Sequence, residues 1–431
     1  MKKILLLTVV LALGLSLGAD KLVIVSPNQK TIQDEWIPAF KAWYQTNAGK
    51  AVEIEWLDQG GTSDDLKFIT SNFAKSPEGI KVDLFWGGGT TPYFMLKQKG
   101  LLQKYEVPAE QRKTIPASIG GILLYDPEYY WYGSAVSSFG IAYNKPVLKM
   151  LKLPEPATWE DLARPEYQGW VGCADPRHSG SMNMIYSIMF QAYGWEKGWR
   201  VATLMGANAK SFTRQSTEIL KNVCTGETAV GLSIDFYAWS KILEVGADNI
   251  GFVLPEGLTA ANADAIAILK GAPNLDVAKK FIEFNLSEEG QCVWLLNKGE
   301  PGGPKINSLS RLSVRPELYE KYAGKLAVSG NPFKMKNFIS YDNDKGDKLR
   351  EISNDLMGAL FVDTREELQQ AWKKLIAAGC PEDKVKELCR MPLTEEEALK
   401  LAESWKDQKV RNDKINEWVR FAKEKYERLA R

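Results

Sequence analysis

Small polar residues between a predicted strand and a predicted helix form the first candidate binding motif. Residues 170–174 are typical of a buried strand, and a helix with one apolar face begins directly after the loop 175–181. Ser179, Gly180 and Ser181 would therefore lie at a helix N-terminus. Unpaired backbone N–H groups, hydroxyl donors and the positive end of the helix dipole all favour an anion there. The motif predicts a site for a phosphate, phosphonate or carboxylate group.

Three further loops of the same kind occur in the first hundred residues, each between a predicted strand and a predicted helix. They comprise residues 26–30, 58–63 and 87–92, and the strands before them comprise residues 22–25, 52–57 and 82–86. Carboxyl ends of parallel strands meet at one edge of a sheet, where ligands bind in open α/β folds. Asn28, Gly88, Gly89 and Thr90 are the candidate contacts, since glycine lets a ligand approach the backbone closely.

A second apolar strand, residues 229–234, ends in Asp235, Phe236 and Tyr237. We expect Asp235 to hold a hydroxyl or amine of the ligand and Tyr237 to donate a hydrogen bond or stack. The alternative for Asp235 is a role as cap of the next helix. Three tryptophans at predicted strand ends could stack on a sugar, although packing is their commoner role. These are Trp86, Trp131 and Trp239.

Catalytic and metal-binding patterns are scarce. His178 is the only histidine, and its neighbour Ser179 is badly placed for a Ser-His-Asp triad. The sequence Gly-x-Ser-x-Gly occurs only at 14–18, inside the apolar N-terminal run. We therefore predict no catalytic residues, no metal and no cofactor, while a hydrolase using two carboxylates stays open.

The five cysteines lack the Cys-x-x-Cys spacing of common zinc sites. Cys380 could pair with Cys389, and Cys173 could pair with Cys224, which would leave Cys292 single. The alternative is that all five are unpaired, and the sequence does not decide between these possibilities.

The N-terminal residues 1–19 have the form of a secretory signal peptide, with two lysines, a short apolar run and small residues at the end. A buried helix or an uncleaved anchor is the alternative. The net charge of +1 gives no indication of a nucleic-acid partner. The 431 residues suffice for two or three compact units.

The alternation of strands and helices predicts an α/β fold of βαβ units with a parallel sheet. We place a first lobe at residues 20–132, a second lobe at 133–250 and a return to the first lobe at 251–345, with strands 250–255 and 265–269 leading back. A charged helical C-terminal extension is predicted for residues 346–431, to pack on a lobe or dock a partner. The aromatic and small-residue stretch 129–144 is read as an extended crossing between the lobes.

The chain resembles the periplasmic solute-binding proteins of ABC importers, of the type with two crossings between the lobes. The resemblance runs from about residue 21 to 309 and is carried by residues 22–27, 83–89, 137–144, 175–181, 284–291 and 301–304. It implies two closing lobes, each a mixed, mostly parallel sheet flanked by helices. It also implies a periplasmic monomer that performs no chemistry and delivers a small solute to an inner-membrane ABC permease.

The most similar branch includes ferric-iron binders and binders of phosphonates or sugar phosphates. Ferric binders of that branch typically use two adjacent tyrosines at the end of the second-lobe strand, where this chain has Phe236 and Tyr237. The resemblance therefore favours an anionic or zwitterionic solute. A ferric binder using Tyr237 with a bound anion, and a secreted hydrolase, remain the alternatives.

Overall fold

The structure is a computed structural model that describes residues 18–328, 330–334 and 338–431. Almost all of the predicted signal peptide, residues 1–17, lies outside the described residues, so its cleavage stays a prediction. Within the described ranges, no helix combines the length and the apolar composition needed to span a bilayer.

The first lobe begins with the predicted alternation of strands and helices. Its elements are β1 (Asp20–Val25), α1 (Lys30–Ala48), β2 (Val52–Leu57), α2 (Thr62–Lys75), β3 (Leu84–Trp86), α3 (Thr91–Gln98), β4 (Leu102–Gln103), α4 (Ala109–Arg112), β5 (Ser118–Ile119) and β6 (Ile122–Leu123). The parallel pairing of β1 with both β2 and β3 confirms the βαβ arrangement. The three loops that follow these strands therefore leave one edge of the sheet.

The predicted crossing is a single long strand, β7 (Tyr132–Asn144), in which every residue is buried. Its later half pairs with second-lobe strands, and its earlier half pairs with a strand of the first lobe. One strand thus belongs to both lobes and joins their sheets into one ten-stranded sheet.

The second lobe contains both strands predicted for it, one directly before the loop 175–181 (the Ser179 loop) and one directly before Asp235. Its elements are α5 (Lys145–Leu151), two 3-10 helices (Trp159–Ala163 and Pro165–Tyr167), β8 (Val171–Ala174), α6 (Gly180–Tyr193), α7 (Trp195–Asn208), β9 (Ala209–Thr213), α8 (Ser216–Thr225), β10 (Val230–Ile234), α9 (Asp235–Val245) and β11 (Ile250–Val253). β8 lies between β9 and β10 and is parallel to both.

The return to the first lobe occurs one strand later than predicted. β11 pairs antiparallel with the second-lobe half of β7, at Ile141–Asn144, and so remains in the second lobe. The crossing strand is β12 (Ala261–Leu269), which pairs with β7 and β3. The prediction of 250–255 as a first-lobe strand is wrong because the hydrophobicity of a run indicates that it is buried but not which strand it pairs with.

Three helices follow the crossing: α10 (Leu275–Leu286), α11 (Glu288–Leu295) and α12 (Leu318–Lys321). They cover the first lobe, whose core includes a cluster of aromatic rings around Trp36, Trp86 and Trp294. Ser287 caps α11 as its sequence indicates, because its hydroxyl accepts a hydrogen bond from the Gly290 N–H at 3.1 Å.

The C-terminal extension is helical and packs on the second lobe. It comprises α13 (Asn343–Met357), a π-helical turn (Gly358–Val362), α14 (Arg365–Ala377), α15 (Glu382–Leu388), α16 (Glu395–Ala402) and α17 (Gln408–Ala430). Its apolar side chains share one core with α6 and α7. Trp372 of α14 donates its indole N–H to Asn208 of α7 at 2.8 Å. The extension therefore enlarges the second lobe rather than forming a separate unit.

Candidate functional site

A cavity of about 440 Å³ lies between the two lobes, and the structure brings all four predicted loops to it. Of the nine predicted contacts, seven line the cavity. They are Asn28, Gly88, Gly89, Ser179, Gly180, Ser181 and Tyr237. The volume falls within the range of about 300–1,000 Å³ usual for small-molecule sites.

The Ser179 loop forms the second-lobe wall of the cavity. Ser179 is the N-cap of α6, and its Oγ accepts a hydrogen bond from the Met182 N–H at 3.4 Å. The two hydroxyl oxygens of Ser179 and Ser181 are 3.1 Å apart. Because the Ser179 oxygen is already an acceptor, its proton is available for Ser181 or a ligand. Two hydroxyls and the first N–H groups of α6 thus converge on one place.

The N-termini of five helices reach the cavity: those of α1, α2, α6, α8 and α9. Acidic residues lie in the first turn of α2 (Asp64 and Asp65), of α8 (Glu218) and of α9 (Asp235), where a carboxylate compensates the helix dipole. α1 and α6 carry no acid there. Among these five helices, only α6 has an N-cap hydroxyl bonded to its own first turn. The α6 N-terminus is therefore the best-equipped of the five to receive an anion.

The other two predicted contacts, Thr90 and Asp235, lie behind the cavity wall. Thr90 Oγ1 is buried and donates to Asn262 Oδ1 at 3.3 Å. The carboxylate of Asp235 accepts hydrogen bonds from the Ser138 N–H of β7 (2.7 Å) and from the Phe236 N–H of α9 (2.6 Å), so it joins the crossing strand to the start of α9. Burial raises the pKa of Asp235 to about 7. Asp235 is thus the first residue of α9, after the N-cap Ile234, and its carboxylate binds backbone N–H groups instead of lining the cavity.

Arg311 is a cavity residue that was not among the predicted contacts. Its guanidinium is buried, lies 3.8 Å from the ring centroid of Phe236 and 4.9 Å from that of Trp294, and forms an ion pair with Asp264. Arg311 Nη2 donates to Asn28 Oδ1 at 3.3 Å. A fixed cation therefore lies where the lobes meet.

Asp264 links this cation to the glycine loop of the first lobe, because its Oδ1 accepts the Gly89 N–H at 3.1 Å. Both charged residues had a signal in the sequence. Asp264 is the only charged residue in the nine-residue buried strand β12, and Arg311 follows Leu309 and Ser310 in a stretch of small and apolar residues. A charge at such a position needs a buried partner. Residues 215–217, at the start of α8, also line the cavity and were missed.

Tyr237 lines the cavity beside this cation. Burial raises the pKa of Tyr237, and the positive charge of Arg311 opposes that shift. The neighbouring Phe236, which stands where ferric binders have a second tyrosine, packs its ring on the Arg311 guanidinium. A guanidinium at this place repels a ferric ion.

None of the three candidate tryptophans lines the cavity. Trp86 is fully buried and donates its indole N–H to Ser134 Oγ at 2.8 Å, and Trp131 is fully buried as well. Trp239 packs edge-on against Phe252 at 5.9 Å between ring centroids. The stacking role considered for these rings is thus wrong, because each is occupied by packing.

All five cysteines are free thiols, so neither of the two possible disulfides is present. Within the described residues, no group of three His, Cys, Asp or Glu side chains is arranged to hold a metal ion.

The family model described as "Bacterial extracellular solute-binding protein" matches residues 81–307, which is more than half of the chain. The phosphoglycerate transport regulatory protein PgtC of Salmonella typhimurium is 29% identical over 293 residues, covering 65% of this chain and 69% of that protein. The family-model match includes the Ser179 loop and both crossing strands, β7 and β12.

Solved structures of periplasmic binding proteins share the fold. AfuA of Actinobacillus pleuropneumoniae, determined with fructose-6-phosphate bound, superposes with a TM-score of 0.61 at 22% identity over 82% of this chain and 97% of AfuA. The apo ferric ion-binding protein A of Pasteurella haemolytica superposes with a TM-score of 0.56 at 18% identity over 78% and 98% of the two chains. The two-lobed architecture of the periplasmic binding proteins is therefore confirmed.

Proposed function

The chain belongs to the bacterial extracellular solute-binding proteins, the substrate-binding components of ABC importers, and from this premise we propose that it captures a small phosphorylated or phosphonate solute between its lobes. It delivers that solute to an inner-membrane permease without transforming it. Ligand binding shifts the population toward closed lobes, which the permease recognises. Export by the N-terminal signal peptide is part of the same proposal.

The observation that carries the proposal is the Ser179 loop at the uncompensated N-terminus of α6, facing the inter-lobe cavity. Ser179, Gly180 and Ser181 would hold the anionic group through backbone N–H groups and hydroxyls. Charge-assisted hydrogen bonds of this kind contribute about 1.5–3 kcal/mol each. Two hydroxyl contacts therefore account for much of the affinity of a small anion.

The first lobe would contact the remainder of the solute. Asn28, Gly88 and Gly89 present an amide and exposed backbone, and Tyr237 closes the site from the second lobe. Thr90 and Asp235 support these contacts from behind the wall. PgtC is a phosphoglycerate transport regulatory protein, and AfuA was determined with fructose-6-phosphate bound. Both similar proteins therefore support a phosphorylated solute for this chain.

A ferric ion is disfavoured by the site itself. Phe236 supplies no phenolate, and the Arg311 guanidinium adds a cation next to Tyr237. Asp264 partly neutralises the Arg311 cation and so weakens its electrostatic repulsion of a ferric ion. The remaining positive charge still acts on Tyr237, the phenol that would bind iron.

The test is the melting temperature of purified ligand-free protein, measured with inorganic phosphate, methylphosphonate, fructose 6-phosphate, 3-phosphoglycerate, amino acids and ferric citrate. A solute present at about a thousand times its Kd stabilises the folded state by about 4 kcal/mol. We expect a shift with a phosphorylated or phosphonate compound. A shift with ferric citrate alone, together with a tyrosinate absorption band, would contradict the proposal, as would turnover of the bound compound.

The Ser179→Ala, Ser181→Ala double variant tests the anion site directly. We expect affinity for the solute that binds to fall at least about a hundredfold, because both hydroxyl donors are lost. Ser287→Ala is the matched control, since it also removes an N-cap serine but at α11, outside the cavity. Each loss of an N-cap costs about 1 kcal/mol of stability. Equal affinities of the double variant and the control would remove the anion-site assignment.

A further inference from the structure

The C-terminal extension touches the Ser179 loop at one place, through Arg177. The guanidinium of Arg177 lies between two carboxylates, one within the loop and one from the extension. Its Nε and Nη2 donate to Asp175 at 2.7–3.1 Å, and its Nη1 and Nη2 donate to both oxygens of Asp363 at 2.8 Å. Asp363 therefore holds Arg177 with a bidentate pair, a geometry that fixes orientation as well as distance.

The same aspartate that pairs with Arg177 also shapes the loop backbone. Asp175 Oδ1 accepts the Arg177 N–H at 2.9 Å, and the carbonyl of Asp175 accepts the N–H groups of His178 and Ser179 at 3.1 and 3.0 Å. The side chain of Arg177 and the turn that presents Ser179 are thus parts of one hydrogen-bonded unit. A restraint on Arg177 is a restraint on the N-cap of α6.

A π-helical turn of the extension brings Asp363 to Arg177. This turn, Gly358–Val362, ends directly before Asp363, and the Asp363 N–H donates to the Gly358 carbonyl at 2.8 Å. A Cβ atom at Gly358 would lie 2.6 Å from Arg177 Nη1, so the guanidinium occupies the space that a side chain would fill. π-Helical turns are uncommon and often occur at functional sites.

A second contact lies one helical turn further along α6. Asn183 Nδ2 donates to Asn354 Oδ1 of α13 at 2.8 Å. Asn183 also donates its backbone N–H to the carbonyl of Ser179 at 3.0 Å. The extension therefore holds both the loop before α6 and the first turn of α6.

We propose that Asp363 is a positioning residue for the anion site: through Arg177 it holds the loop 175–181 in the conformation that presents Ser179 and Ser181 to the solute. This assignment rests on the proposed function of that loop. The C-terminal extension thereby takes part in solute binding without contacting the solute, since none of its residues lines the cavity.

Charge and positioning make opposite predictions for Asp363. Asp363 is an anion on the second lobe, and its removal leaves Arg177 with one carboxylate instead of two. If only charge mattered, Asp363→Ala would strengthen anion binding. If Asp363 positions the loop, the same variant weakens binding, because the N–H and hydroxyl donors lose their arrangement.

The experiment compares Asp363→Ala with Glu382→Ala in the full-length chain. Glu382 also pairs with an arginine of the second lobe, Arg200 at 2.9 Å, but this pair does not touch the loop. Hydrogen exchange of the amides of residues 179–183 is measured in ligand-free protein, and affinity is then measured for 3-phosphoglycerate, fructose 6-phosphate and inorganic phosphate. For Asp363→Ala we expect exchange about tenfold faster and binding about tenfold weaker, the effect of one charge-assisted pair.

Loop exchange in Asp363→Ala equal to that in Glu382→Ala would overturn the positioning role, and so would faster exchange with unchanged or tighter binding. A third outcome is that the unaltered protein binds none of the three probes while Asp363→Ala still shows faster loop exchange. That outcome would support the positioning role of Asp363 and contradict the proposed function. The two assignments therefore fail separately.

Discussion

Two helix N-termini meet across the cleft, and they are built in opposite ways. α2 begins at Thr62 with a glycine N-cap and carries Asp64 and Asp65 in its first turn, whereas α6 begins at Gly180 with a serine N-cap and has no acid there. They lie close together, since a Cβ at Gly180 would be 3.8 Å from the Cβ of Thr62. The first-turn acids of α2 compensate the dipole of that helix, whereas the dipole of α6 is not compensated in this way and can act on a ligand.

The difference shows why a strand–loop–helix pattern alone does not identify an anion site. Both loops are rich in glycine and hydroxyl residues, and both line the cavity. They differ in their first helical turns and in the side chains that hold them. The loop before α6 is held by Arg177 and Asp363, while α2 has a buried carboxylate, Asp65, within its first turn. An acid in the first turn is thus the feature to examine before an anion is assigned to a helix.

Transferring the α2 arrangement to α6 should have the largest effect. In Ser181→Asp, a carboxylate occupies the N-terminus of α6 and repels the solute anion. Like charges placed together cost several kcal/mol, so we expect affinity to fall about a thousandfold or more. The same charge should leave the melting temperature unchanged or raise it, because it suits the helix dipole. Calorimetric titration and thermal melts give both values, and retained binding would show that the anion lies elsewhere.

The second prediction concerns Asp65, whose side chain is fully buried. Burial is the main cause that raises the pKa of Asp65 to about 7, and Asp58 and Asp64 add to it, while the Gln59 amide offsets part of the shift. The unfolded chain loses this proton near pH 4, the ordinary range of an aspartate. Between these values the unfolded state binds fewer protons, so stability falls as pH rises from about 4 to 7.

Asp65→Asn should remove that decline. The free energy of unfolding of the variant, minus that of the natural protein, should rise by at most about 4 kcal/mol between about pH 4 and pH 7. Above pH 7 this difference should level off. Urea denaturation at a series of pH values measures the difference. A difference that stays constant with pH would mean that Asp65 is ionised throughout and that α2 uses both of its acids in charged form.

The smallest effect is expected from an ion pair between the lobes. Arg214 of the second lobe lies 3.8 Å from Asp64 of α2, and both side chains are substantially exposed. Such pairs contribute less than about 1 kcal/mol. Arg214→Ala should therefore speed solute dissociation by no more than about fivefold, and this change should fade in high salt. Stopped-flow dissociation at low and high salt measures it, and a large, salt-insensitive change would indicate that Arg214 contacts the solute.

Most of the fold could be predicted because it depends on local patterns. The bounds of β2 agree residue for residue with the strand predicted at 52–57, and the loops after β1, β2, β3 and β8 were placed correctly. The destination of β11 was wrong, since burial does not specify the partner strand. The extension was predicted as helical, but the sequence did not decide that it packs on the second lobe.

The site was predictable where backbone and helix termini form it, and less so where charge does. Ser179 was identified from its position between a strand and a helix, and the structure places it at the N-cap. Arg311 and Asp264 are distant in sequence and meet only in the folded chain, so neither was identified. Asp235 was expected to face the solute, but a carboxylate at the start of α9 also satisfies backbone N–H groups, and that role fits its contacts.

The pairing of β12 with β3 and β7 has a consequence for the order of assembly. β12 lies between these two strands in the sheet of the first lobe, yet the whole second lobe separates it from β3 in the chain. As the chain emerges, the first lobe stays an incomplete sheet with β3 as an open edge until the second lobe has been made. Contacts between distant parts of a sequence slow folding. We therefore expect the sheet of the first lobe to be completed late in folding.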